Sequence, residues 1–87
     1  MKIIDGFVLK TIADTNVVVP VGSNNVSFRS IISLNSSGAF LWNLLIKETD
    51  EDALVKALTA EYDVDEATAR KDVKEFIDIM RKANLIA

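Results

Sequence analysis

The 87-residue chain contains no cysteine and no histidine. Disulfide scaffolds, thiolate nucleophiles, Cys/His zinc sites and histidine acid–base catalysis are therefore excluded. Its three glycines are scattered and form no phosphate-binding loop, and its single proline interrupts a strand-like run rather than a linker. Long apolar runs are missing too. The longest, Val17 to Val21, is five residues and includes Pro20, far short of a membrane span. The start, Met1 to Phe7, carries Asp5 and Gly6 and lacks a signal-peptide core, so the expected location is cytoplasmic, with no membrane partner. What remains is ordinary for a folded protein: 49% hydrophobic and 26% charged residues, which exclude disorder. A single domain over 1–87 is expected. It buries roughly 60–65% of its unfolded surface, enough for one core and a surface groove but not a deep cavity.

Basic charge is also scarce. The net charge is −3, opposite in sign to the footprint that neutralises phosphates, so no nucleic-acid partner is expected. The acid is concentrated in the middle. Residues 35–64 carry Lys47 and Lys56 against Glu48, Asp50, Glu51, Asp52, Glu61 and Asp63, a net −4. Residues 1–34 are slightly basic, and residues 65–87 balance five acids against five bases.

The first third reads as strands, spanning about residues 7–34. Phe7 to Ile12 and Asn16 to Val19 are rich in β-branched residues, with a tight turn expected at Asp14-Thr15. Gly22 to Asn25 forms a second turn signal. The third strand, Val26 to Leu34, alternates apolar Val26, Phe28, Ile32 and Leu34 with polar Ser27, Arg29 and Ser33. Short turns imply an antiparallel meander, and Pro20 is expected to end pairing of the second strand or bend it.

The remainder reads as three helices, spanning about residues 35–84. Asn35 or Ser36 can cap a helix carrying Phe40, Leu41, Leu44 and Leu45. Thr49 to Asp52 resembles a capping box before a helix with Leu54, Ala57, Leu58 and Tyr62 on one side. Asp65 caps the longest helix, whose core stripe is Ala69, Val73, Phe76 and Met80. Ile77 and Ile79 flank this stripe, about 100° and 60° to opposite sides of Phe76. Asn84 suits a left-handed helix end, after which Leu85-Ile86 can fold back. Strands followed by helices make an α+β, winged-helix-like fold.

The carboxylates offer no catalytic or metal-binding pattern. Asp50, Glu51 and Asp52 are accounted for by helix capping, and Asp63-Val64-Asp65 fails as a calcium loop because Thr68 and Lys74 occupy the glycine and glutamate positions. Ser36-Ser37-Gly38 lacks the glycine pattern and base of a nucleophile elbow. No catalytic residue, metal site or cofactor is expected, and Trp42 is read as core. The third strand is the informative element. A meander leaves it at an edge with unpaired N–H and C=O groups, and neither proline nor dense charge blunts it. Two uses follow: addition of a peptide as a further strand, or self-pairing into a homodimer.

Several runs together resemble the PqqD family. They are Val17-Val18-Val19-Pro20-Val21-Gly22, Leu34-Asn35, Phe40-Leu41-Trp42-Asn43-Leu44-Leu45, Glu61-Tyr62-Asp63-Val64-Asp65, Ala69-Arg70-Lys71-Asp72-Val73 and Ala83-Asn84-Leu85-Ile86. Asn84 departs from the glycine usual in that family but can fill the same left-handed position. The resemblance implies a RiPP recognition element, a non-catalytic chaperone related to pyrroloquinoline quinone biosynthesis. Such a module captures the leader of a ribosomally made precursor peptide and presents it to a modifying enzyme, often of the radical S-adenosylmethionine type. It further implies that the leader adds to the third strand and lies against the third helix. On this chain that places Val26, Ser27, Phe28, Arg29, Ser30, Ile31, Ile32 and Ser33 on the strand edge. Lys74, Ile77 and Arg81 would lie along the helix. Arg29, Lys74 and Arg81 would suit an acidic leader, with Ile31 and Ile77 receiving apolar anchors. On this placement Ile77→Asp weakens leader binding without unfolding the domain, whereas Phe76→Ala destabilises it. A DNA-binding winged helix shares the architecture, but Asp72, Glu75 and Asp78 interrupt the basic residues of the long helix.

Overall fold

The computed structural model describes residues 1–21 and 32–86. Three strands, β1 (Phe7–Ile12), β2 (Thr15–Pro20) and β3 (Ile32–Leu34), precede three helices, α1 (Ser36–Leu45), α2 (Glu51–Glu61) and α3 (Glu66–Lys82). The fold is α+β, with an antiparallel sheet in the order β1-β2-β3.

β1 and β2 pair from Phe7↔Pro20 to Ile12↔Thr15, so the turn is Ala13-Asp14, one residue earlier than the sequence suggests. Both turn residues have positive φ, 50° and 65°. That is the two-residue geometry whose twist matches a hairpin, and Asp tolerates it through its short polar side chain. β2 ends at Pro20, as its missing N–H predicts, and the following Val21 N–H still donates to the Gly6 carbonyl at 2.8 Å. β3 pairs with β2 through Asn16↔Leu34, Val17↔Ser33 and Val18↔Ile32. The expected earlier part of this strand, Val26 to Ile31, lies outside the described residues.

Each helix starts on a side-chain cap. The Gly38 N–H donates to Asn35 Oδ1 at 2.8 Å, the Ala53 N–H to Asp50 Oδ1 at 2.8 Å, and the Thr68 N–H to Asp65 Oδ1 at 2.7 Å. The second cap is thus Asp50 itself, one residue after the Thr49 of a capping box. α3 stops where Asn84 takes φ 60°, and the Leu85 N–H then bonds the Met80 carbonyl at 2.9 Å.

The core lies between the sheet and the three helices. Val18 of β2 meets Leu41, Trp42 and Leu45 of α1, Leu54, Val55 and Leu58 of α2, and Ala69, Val73, Phe76, Ile77 and Met80 of α3. Two residues from the chain ends complete it, Ile3 and Leu85. They are held by a small clasp. The Ile3 N–H donates to the Leu45 carbonyl, the Ile4 N–H donates to the Leu85 carbonyl, and Ile3 bridges Ile86. No helix among the described residues is long and apolar enough to cross a membrane.

Candidate functional site

The junction of β3 with α1 sets the geometry of the site. Asn35 turns the chain from strand to helix, and its Oδ1 accepts from both the Gly38 N–H and the Ser37 hydroxyl, at 2.8 and 3.0 Å. The space at Gly38 is tight: a Cβ there would sit 3.3 Å from Leu34 Cβ and 3.2 Å from Asn35 Oδ1, so a larger residue would have to push these neighbours back by a few tenths of an ångström. The first turn of α1 can therefore press against the end of β3. α3 passes beside this corner without closing it.

An open trough of about 240 Å³ results. Ser33 and Leu34 of β3 form one wall, Asn35 with the α1 residues Ser37, Gly38 and Leu41 form the corner, and Asp72, Glu75, Phe76 and Ile79 of α3 form the other wall. A second hollow, lined by Leu58, Tyr62 and Val64, shares Ser37 and Asp72 with it and continues around the start of α1. Tyr62 is braced there by an edge-on contact with Phe40, ring centres 5.7 Å apart. β3 pairs with β2 along one edge; among the described residues no strand covers its other edge, and the C-terminal segment pairs with Ile3 instead.

The face that α3 turns to this trough differs from the expected one. Ile77, read as a groove wall, is only 5% exposed and belongs to the core, whereas Ile79 is 52% exposed and lines the trough. Lys74 and Arg81 are exposed but do not line it. Packing selects which flank of α3 is buried, and helix geometry then places the rest. Around the α3 axis, with Phe76 at zero, Ala69, Met80, Val73 and Ile77 fall at about +20°, +40°, +60° and +100°. Asp72, Ile79 and Glu75 fall at about −40°, −60° and −100°. The core takes the positive side, so the trough takes the negative one, and Lys74 and Arg81 point away from both. Of the expected strand residues, Ile32 is half-buried and Ser33 is exposed; Val26, Ser27, Phe28, Arg29, Ser30 and Ile31 lie outside the described residues.

Electrostatically the trough is acidic. Asp72 and Glu75 are its charged side chains, both are exposed, and among the described residues neither has a basic partner. Other acids are engaged. Arg70 pairs with Glu51 at 2.9 Å and Asp52 at 3.0 Å, and hydrogen bonds to Asp52 and then Glu51 raise its pKa. Asp78 pairs with Lys82 at 3.1 Å, as the i,i+4 spacing predicts. Glu48 holds the terminal amine of Met1, and this contact draws its pKa down. Among the described residues no three carboxylates converge on a metal-sized space. The signal for the trough wall was present in the sequence as Asp72, Glu75 and Ile79, spaced three and four apart on one stripe of α3.

Comparisons with known proteins agree with this architecture. A solved structure described as "TbiB1 in Complex with the TbiA(beta) Leader Peptide" matches with a TM-score of 0.74 and 28% identity, covering 98% of this chain and 93% of that one. No curated protein matches. The family model described as "Coenzyme PQQ synthesis protein D (PqqD)" matches residues 16–86, which include β2 from its second residue, β3, all three helices and every residue lining the trough. The chain belongs to the PqqD family.

Proposed function

We propose that this protein is a non-catalytic adaptor that captures the leader segment of a ribosomally made precursor peptide and presents it to a modifying enzyme, of the radical S-adenosylmethionine type. The observation that carries this reading is the trough beside an edge of β3 that no strand among the described residues covers. A leader adding as a fourth strand gains backbone hydrogen bonds worth about 0.5–1.5 kcal/mol each, while side chains on one of its faces enter the trough. Phe76 and Ile79 offer an apolar seat there, and the Ser33-Leu34 end of β3 sets the register. Membership of the PqqD family and the likeness to a protein solved with a leader peptide support the same reading. Work of this kind belongs in the cytoplasm, where precursor peptides are made, and it needs neither metal nor cofactor on this chain.

The test is a selection from a randomised dodecapeptide library displayed on messenger RNA, followed by titration calorimetry with the enriched peptides. Binding is expected to slow amide hydrogen exchange in Ile32 to Leu34. Ile79→Asp is expected to weaken it by tenfold or more with an unchanged melting temperature, because Ile79 is half exposed in the free protein. Enrichment no better than on an unrelated protein, or protection of β1 instead of β3, would remove the adaptor reading.

A further inference from the structure

The geometry points to a ligand that carries a lysine or arginine within a few residues of its apolar anchor, held by Asp72 and Glu75. This inference rests on the adaptor reading and adds the chemistry of the segment recognised. Two observations carry it. First, both carboxylates stand on the same α3 stripe as Ile79, so they border the apolar seat rather than lying elsewhere on the surface. Second, among the described residues neither is engaged by a cation, unlike Glu51, Asp52 and Asp78, which all hold basic side chains. A cationic side chain entering from the peptide then finds two acceptors one helical turn apart.

The expectation of an acidic leader is correspondingly reversed for this part of the site. It drew on Arg29, Lys74 and Arg81; Lys74 and Arg81 do not line the trough, and Arg29 lies outside the described residues. The net charge of −3, with the acid concentrated in residues 35–64, also draws a basic segment toward the protein at long range.

The same dodecapeptide selection tests the inference. Enriched peptides are expected to show lysine or arginine within four positions of a large apolar residue. Fluorescence anisotropy with the best labelled peptide should show binding weakened roughly 3- to 10-fold by the paired change Asp72→Asn and Glu75→Gln, with most of that difference gone in 0.5 M salt. Replacing the peptide's own basic residue by glutamine should give a similar loss, which keeps the test valid if the protein variant folds poorly. Selection on a chain carrying Asp72→Lys and Glu75→Lys should enrich aspartate and glutamate instead. Peptides that protect β3 yet show no basic preference, or an acidic one, would overturn this inference and leave the adaptor reading standing. Failure to enrich any peptide over an unrelated protein would overturn both.

Discussion

Ile77 and Ile79 are chemically identical, two residues apart on α3, and have opposite fates. One is 5% exposed among core side chains; the other is 52% exposed on the wall of the trough. Positions i and i+2 on an α-helix are about 200° apart, so a helix packed on one side buries one and shows the other. The difference teaches that α3 has two separable apolar surfaces. The first, running from Ala69 to Met80 and including Ile77, holds the domain together. The second, Phe76 and Ile79 with Asp72 and Glu75, faces outward beside β3. Phe76, 7% exposed, belongs to both.

The largest way to break this comparison is Ile77→Asp. A carboxylate at a site with no partner should cost about 4 kcal/mol or more out of the roughly 5–15 kcal/mol that a domain of this kind possesses. Urea unfolding followed by circular dichroism should find the variant largely unfolded or close to it. If it were as stable as the parent, the assignment of the two faces would be inverted. The matching Ile79→Asp change should leave the unfolding midpoint in place and act on binding alone. A smaller effect is expected where β3 meets α1. Asn35→Ala removes the acceptor of the Gly38 N–H and should lower stability by about 1 kcal/mol, measured by the same unfolding curve.

The smallest effect concerns pH. Hydrogen bonds from the Thr68 backbone and then its side chain hold the Asp65 carboxyl below its ordinary pKa. A group depressed in the folded state stabilises it above the unfolded pKa, near 3.9, and that contribution fades as pH falls through the lower folded value. Thermal melts should therefore show a modest loss below about pH 4. The loss should be smaller in Asp65→Asn, which keeps a capping oxygen but does not titrate. An unchanged pH profile in that variant would mean the cap contributes nothing through its charge.

Much of this architecture was readable in the residues because local chemistry decides it. Asn35 and Asp65 begin helices because their side chains accept the first free N–H groups, and Asn84 ends one because it tolerates a left-handed backbone. The buried stripe of α3 and the burial of Trp42 follow from helical spacing and bulk. What was not readable depends on contacts remote in the chain. Ile77 and Ile79 flank the expected stripe almost symmetrically, so periodicity is indifferent between them, and packing against α1, α2 and the sheet breaks the tie. Val55 was missed for a related reason: α2 sits against two neighbours and buries a wider arc than one stripe. Leu85 folds back into the core as the Asn84 helix end allows, whereas Ile3 joins it through backbone bonds remote in the chain, which no local pattern announces.

That pairing of Ile3 with Ile86 has a practical corollary. Because the entry and exit of the fold sit side by side, the whole unit can be spliced as a cassette into a surface loop of a host protein without stretching either junction. The trough draws no residue from either junction, so a transplanted copy would keep its walls intact.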